Sequence, residues 1–256
     1  MHPEFARKLA SRDQLIGVWM QIPHPIVAEA LGQSGADFIL LDGEHGPVPP
    51  DALISVLPAI DRFAMPVIYR VRSNTTDLIK GALDAGVAGV MVPMVNSVAE
   101  ARAAIDAAKY PPLGRRGAGP WRASNYYLDE PAYMAQSNGS VPLVLQIETK
   151  EAVAALDEIA ALPGIAALFV GPYDLCMSMG LEPGKLHPEL IAIYQRIRAA
   201  ADRHGLAMAI DVPSPGYIDR YRELGFSLMT HGLDFQFLID GSRQVVRTFR
   251  DAFKAG

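Results

Sequence analysis

Side chains able to do chemistry gather at the ends of short apolar runs in this chain. Gln21 and His24 close the run at 15–22, Asp42, Glu44 and His45 that at 37–42, and Arg70 and Arg72 that at 66–71. Asn96, the pair Gln146 and Glu148, Asp174, Asp211 and His231 follow the later runs in turn. Glu148 and Asp174 are carboxylates ending two successive runs, and two hard oxygen ligands with open positions left for water and substrate suit Mg²⁺ or Mn²⁺ better than Zn²⁺. The same pair would serve as an acid/base couple on a sugar, or each would cap the helix after it, and residue type alone leaves all three uses open. His45 stands in Asp42-Gly43-Glu44-His45, before Gly46-Pro47. That is a poor setting for a packed core residue, and imidazole is the natural base near neutral pH. Arg70 follows Val67-Ile68-Tyr69, where its planar fork can take a carboxylate bidentately. The alternative is an internal ion pair with Asp42 or Glu44, and for Arg72 an ion pair or surface exposure is the expected state.

Other candidates carry less. Cys176, between Leu175 and Met177, has no activating partner in sequence and reads as a small apolar residue. His24 and His231 either line the mouth of the site or are structural, while His2, His187 and His204 fall at surface or helix-end positions. The six lysines, at 8, 80, 109, 150, 185 and 254, all lie outside the apolar runs, which gives a Schiff-base lysine no place. Asp84, in LIKGALDAG, would point inward if its helix ends near a subunit boundary.

The elements that position these residues follow from periodicity. Eight apolar or β-branched runs, at 15–22, 37–42, 66–71, 89–94, 142–148, 166–172, 206–212 and 226–232, alternate with helical patterns. The helices are expected near 25–34, 51–62, 75–85, 97–108, 150–161, 188–204, 214–224 and 242–254. Continuous apolar strands between helices belong to parallel sheets covered on both faces, so the expected fold is α/β, one (β/α)8 barrel over 1–256. An open dinucleotide-binding sheet would need a Gly-rich turn after the first strand, and PHPIV stands there instead. In a barrel the active site lies at the C-terminal ends of the strands, where the polar residues stand. The longest insertion, roughly 109–141, follows the fourth helical pattern and enters the fifth strand from the opposite face; its Gly, Arg and aromatic content suits an ordered segment reaching another subunit.

Composition bounds the partners. With 256 residues, half of them hydrophobic and 20% charged, the chain has the content of a folded protein with a sizeable core. A net charge of −5 without a basic run argues against nucleic acid. No stretch reaches ~18 uninterrupted apolar residues, so no membrane partner is expected. One cysteine and an N-terminus without an apolar signal core fit a reducing cytoplasm. The loops DVPSPG and THGLD lack a Gly-rich cradle, which disfavours a phosphorylated substrate.

Several segments, in order and nearly end to end, carry a family resemblance. They are Gly17-Val18-Trp19, Leu40-Leu41-Asp42-Gly43-Glu44-His45-Gly46, Arg70 in VIYRV and Leu83-Asp84-Ala85-Gly86, then Val92-Pro93-Met94-Val95, Tyr110-Pro111-Pro112 with Gly114 to Gly119, Gln146-Ile147-Glu148-Thr149 and Gly171-Pro172-Tyr173-Asp174-Leu175. On these the chain resembles the HpcH/HpaI class II pyruvate aldolases. The resemblance implies a barrel of the phosphoenolpyruvate/pyruvate type and a divalent cation, Mg²⁺, Mn²⁺ or Co²⁺, on Glu148 and Asp174, with no organic cofactor. It implies that a 2-oxo acid and an aldehyde are the small-molecule partners, that Arg70 pairs with the 2-oxo acid and stabilises its enolate, and that Trp19, Asp42, Gln146, Gly171, Pro172 and Tyr173 form the substrate site. By the same resemblance His45 is the base, oriented by Asp84 from a neighbouring subunit, and the protein is a homohexamer with an exchanged C-terminal helix, for which the stripe Val245, Val246, Phe249, Phe253 is suited; packing within the chain explains that stripe equally. The sequence departs from the family at Arg72, where Pro is frequent, at Tyr173, where a small residue is frequent, and in the bulky stretch holding Trp121, Tyr126 and Tyr127. These departures bear on the aldehyde. They leave as competing readings a CoA-thioester lyase of the citrate lyase β or malyl-CoA type, a decarboxylating condensation as in macrophomate synthase, and a carboxylate-binding barrel without catalysis.

Overall fold

In the computed structural model, which describes residues 2–254, the eight apolar runs pair in parallel and in chain order, and the eighth closes on the first. The strands are β1 (Leu15–Met20), β2 (Phe38–Asp42), β3 (Val67–Arg70), β4 (Gly89–Val92), β5 (Leu143–Ile147), β6 (Ala167–Val170), β7 (Ala207–Asp211) and β8 (Leu228–Leu233). Side chains alternate between the two faces of a strand, so each run serves two cores. The inward set holds Trp19, Phe38, Leu40, Ile68, Met91, Val144, Phe169 and Leu228. The outward set, including Ile39, Leu41, Val90, Leu145, Leu168 and Ile210, packs under the helices. Each of these large side chains, fully buried, stabilises the fold by roughly 1.5–3 kcal/mol. Continuing the inward phase past the apolar layers reaches Asp42, Arg70, Gln146, Glu148 and Asp211 at the strand ends. The fold thereby delivers its polar residues to one mouth. Gly17 stands on the inward phase of β1, where a Cβ would strike the Phe38 ring, so that position is empty for Phe38 to fill the interior.

Helices cover the barrel: α1 (Pro3–Ala10), α2 (Pro25–Gly32), α3 (Leu53–Asp61), α4 (Thr76–Ala85), α5 (Val98–Ala108), α6 (Glu130–Ser140), α7 (Lys150–Ala154), α8 (Leu156–Ala160), α9 (Pro172–Met179), α10 (Pro188–His204), α11 (Ile218–Glu223) and α12 (Asp234–Lys254). Three of them lie outside the expected set. α1 closes the N-terminal end of the barrel, its Phe5 and Leu9 joining the inner core and the Phe5 ring lying 5.7 Å from that of Phe38. α6 orders the end of the 109–141 insertion, although its Ser, Asn and Gly content gives it little helical signal. α9 starts at once after β6, so strand and helix merge into one apolar run in sequence. The single helix expected at 150–161 is two short ones, and that expected at 214–224 opens with a 3₁₀ turn at Pro215–Tyr217. α12 begins at Asp234, well before the expected 242. Asp234 is its one buried residue; Phe235, Leu238, Val245, Val246, Phe249 and Phe253 are exposed. Among the described residues no helix is long and apolar enough to cross a membrane.

Candidate active site

The register places Asp42 opposite Arg70 on neighbouring strands. Arg70 Nε and Nη2 donate to the two carboxylate oxygens of Asp42, both at 2.8 Å. Gln21 Nε2 donates to Asp42 Oδ2 at 2.6 Å, and the backbone N–H groups of Glu44 and His45 turn back to Oδ1. Burial alone would raise the Asp42 carboxyl, but the hydrogen bonds and charge of Arg70, with Gln21 and Glu44, hold it below the ordinary range. The third guanidinium nitrogen, Nη1, lies 2.9 Å from Glu44 Oε2. Arg70 is therefore internally paired, as its alternative reading held, and its face rests 4.5 Å from the centre of the Trp19 ring. Asp42, expected among the substrate-binding groups, is fully buried beneath Arg70 with both oxygens engaged, and it is not among the residues that line the cavity at the barrel mouth.

Three carboxylates surround the next position. Glu148 is buried, accepts the Met94 N–H at 2.7 Å and takes Gln146 Nε2 at 2.6 Å. Met94 offers that N–H from a left-handed backbone with φ of 54°, a conformation uncommon for a side-chain-bearing residue. Burial, reinforced by the nearby charges of Glu44 and Asp174, pushes the Glu148 carboxyl up to about 7. Glu44 is raised as well, by burial first. Thr149 is the cap of α7, accepting the Ala152 N–H, which removes the helix-capping reading of Glu148. Asp174 lies exposed in the first turn of α9. A Cβ at Gly171 would overlap Glu148 Oε2, so the glycine makes room for the carboxylate.

Two buried oxygens in this cluster, Glu44 Oε2 and Gln146 Oε1, accept no hydrogen bond among the described residues, the contact of Glu44 with Arg70 being an ion pair out of hydrogen-bond geometry. A buried acceptor left unpaired costs ~1–3 kcal/mol. The unpaired Gln146 oxygen beside repelling carboxylates is what a cation would satisfy, and an all-oxygen donor set suits a hard divalent ion. No three His, Cys, Asp or Glu side chains form a closed metal cage among the described residues.

A cavity of about 420 Å³ opens over this cluster, and Trp19, Arg70, Gln146, Gly171, Pro172 and Tyr173 all line it. His45 and Asp174 reach it too. His45 is largely exposed, its Nε2 3.6 Å from Glu44 Oε2. Asp84 is elsewhere. It sits at the end of α4, away from the strand C-termini, where Arg116 Nη2 donates to its Oδ1 at 2.7 Å; within one chain it does not meet His45. His24 caps α2 through Nδ1, accepting the Ile26 N–H. Cys176 is buried in the outer core. No lysine lines the cavity among the described residues. Two contributors escape residue-by-residue reading. Glu44 completes the carboxylate cluster, and Asp211 with Thr230 anchors the Trp19 indole at 2.7 and 2.9 Å. Both stood in the strand-end set, but only distances across strands reveal their roles.

Residues 15–241 match the family HpcH/HpaI aldolase/citrate lyase. A 5-keto-4-deoxy-D-glucarate aldolase of Salmonella arizonae is 35% identical over 247 residues, 96% of each chain. Among solved structures, an HpcH/HpaI aldolase/citrate lyase family protein from Burkholderia cenocepacia J2315 superposes with a TM-score of 0.89 at 31% identity, covering 97% of this chain and 99% of that one. Macrophomate synthase is similar at TM-score 0.84 and 28% identity, over 98% of this chain and 90% of its own.

Proposed function

Because the chain belongs to the HpcH/HpaI aldolase/citrate lyase family, we propose that it is a metal-dependent aldolase reversibly cleaving a 4-hydroxy-2-oxo acid to pyruvate or hydroxypyruvate and an aldehyde. The observation that carries this reading is the carboxylate cluster of buried Glu148, half-buried Glu44 and exposed Asp174, with the unpaired Gln146 oxygen beside it, next to Arg70 at an open cavity. The name of the curated relative supports the substrate class. Numbered from its keto end, a 5-keto-4-deoxy-glucarate is a 4-hydroxy-2-oxo acid.

Glu148 and Asp174 would hold the divalent cation, Mg²⁺, Mn²⁺ or Co²⁺, which supplies positive charge where the enolate oxygen develops. Arg70 stabilises the same charge through Nη1, exchanging its contact with Glu44 for substrate while Asp42 keeps the other two nitrogens fixed. Trp19 fixes the plane of the guanidinium. As the C3–C4 bond breaks, His45 Nε2 takes the proton from the C4 hydroxyl, the bonding pair passes to the enolate, and the same proton is then delivered to C3 to give pyruvate; condensation runs these transfers in reverse. Its exposure fits a group that meets substrate only after binding. Asp84, held by Arg116, reaches His45 only across a subunit contact, and the unpartnered apolar stripe of α12 favours a homo-oligomer, a hexamer by family resemblance. A buried, unpaired Cys176 accords with the cytoplasm. A CoA-thioester lyase is less well supported, since Arg70 is the one Lys or Arg side chain lining the cavity among the described residues. Pyruvate formation should vanish after exhaustive EDTA treatment and return with Mg²⁺, Mn²⁺ or Co²⁺; pyruvate release that persists without metal would overturn the reading.

A further inference from the structure

Beyond anchoring Trp19, the wall of the cavity formed by β7 and β8 meets no reacting group in the chemistry above, yet it is polar. Asp211, at the end of β7, lines the cavity. Its Oδ1 accepts both the Trp19 indole N–H at 2.7 Å and the Thr230 hydroxyl at 2.8 Å. No group among the described residues donates to Oδ2, which leaves that oxygen to the cavity. His231, one residue beyond Thr230, also lines it and sets its Nδ1 2.6 Å from the Val212 carbonyl. A carbonyl can only accept, so Nδ1 carries the proton, and in the neutral ring Nε2 is then the acceptor. The wall thus offers two acceptors, a carboxylate oxygen and an imidazole nitrogen. The one Lys or Arg side chain on the cavity, Arg70, is near enough for its charge to act on Asp211, but its nitrogens are held by Asp42 and Glu44 and none donates to Asp211.

A carboxylate acceptor whose nearest cation is committed to other partners discriminates by chemistry. It rewards hydroxyl donors, repels a second carboxylate and gives an alkyl chain nothing. Resting on the aldolase reading, we propose that Asp211, with His231 as its neighbour, is the specificity-determining residue of the aldehyde subsite and selects an uncharged hydroxylated aldehyde through its hydroxyls. Oδ1 is fixed from two sides by Trp19 and Thr230, so Oδ2 is held in place before the aldehyde arrives. That arrangement avoids an ordering cost on binding.

The test compares aldehydes within each protein. Condensation of pyruvate with D-glyceraldehyde and with propanal is followed in Mn²⁺ for the wild type, Asp211→Leu and Asp211→Asn, and the ratio of the two kcat/KM values is the readout. Any loss common to both aldehydes, such as a disturbed Trp19, cancels in that ratio. A hydrogen bond from a hydroxyl to a charged acceptor supports a fall in the ratio of roughly 10- to 100-fold for Asp211→Leu, on the order expected for such bonds. Asp211→Asn keeps an oxygen for Trp19 and Thr230 and should show the fall at least in part, which covers the case in which the leucine variant fails to fold. An unchanged ratio in the asparagine variant would overturn the proposal. Separately, exchange of the pyruvate methyl protons for deuterium, measured on the wild type without aldehyde, reports the enolate half alone. Exchange with an unchanged ratio sinks the assignment of Asp211 only, while no exchange overturns the aldolase reading and this proposal with it.

Discussion

Replacing Glu148 by Gln separates the site's chemistry from the stability of the fold that holds it. Burial and the charges of Glu44 and Asp174 raise the Glu148 carboxyl from 4.5 to about 7. At roughly 1.4 kcal/mol for each tenfold change, the ionised carboxylate burdens the folded protein by about 3 kcal/mol. The sign follows from proton binding. Between pH 4.5 and about 7 the native state holds a proton at Glu148 that the unfolded chain has released, so the free energy of unfolding falls as pH rises through that window. The neutral amide of the Glu148→Gln variant carries no such burden. It can still accept the Met94 N–H, and a turn of the Gln146 amide would aim that residue's orphaned oxygen at the new NH₂ group. Without metal at pH 8, Glu148→Gln should therefore melt on the order of 6–10 °C above the wild type, and the gap should shrink to about a quarter of that at pH 5. Thermal unfolding in EDTA at both pH values measures this. Added Mn²⁺ should raise the melting temperature of the wild type and leave the variant nearly unmoved. A variant less stable than the wild type at pH 8 without metal, or an Mn²⁺ titration identical in the two proteins, would refute the assignment of Glu148 as a destabilised metal ligand.

Three further outcomes follow from the same geometry. His45→Ala should lower turnover at least ~100-fold while pyruvate and Mn²⁺ still bind by calorimetry, and equal turnover would remove His45 as the base. Gly171→Ala drives a methyl into Glu148 Oε2, so Mn²⁺ affinity should weaken by roughly 10-fold or more as the ligand is displaced, with the fold intact by circular dichroism. Asp42→Asn leaves the buried Arg70 without its bidentate partner, and denaturant unfolding should show a loss of about 3 kcal/mol, as for other broken buried pairs.

The strands were legible because a parallel barrel demands apolar side chains on both faces, and the runs ending at Asp42, Arg70 and Glu148 obey that demand without interruption. The placing of Glu148, Asp174 and His45 at the barrel mouth was legible for the same reason: a charged residue ending such a run has only the mouth to occupy. The partner of Arg70 was not. Asp42 looks from sequence as available as Glu44, and only the register across β2 and β3 shows which carboxylate takes the fork. Asp84 and Arg116 are 32 positions apart, and no local pattern links a helix end to an irregular insertion. α9 merges with the strand before it, so the step from strand to helix leaves no polar gap to read.

The floor of the barrel has a kinetic meaning. Phe5 and Leu9 of α1 seal the N-terminal end, so reactants share one entrance. Arg70, Gln146 and Glu148 lie buried beneath it, while Tyr173 and His45 stand exposed at the rim. In a vessel with a single door the deeper guest enters first and leaves last. Under the aldolase reading the order is compulsory: the 2-oxo acid binds before the aldehyde, and on cleavage the aldehyde departs while pyruvate is still held. Pyruvate should then compete with the cleaved substrate, and the aldehyde should not.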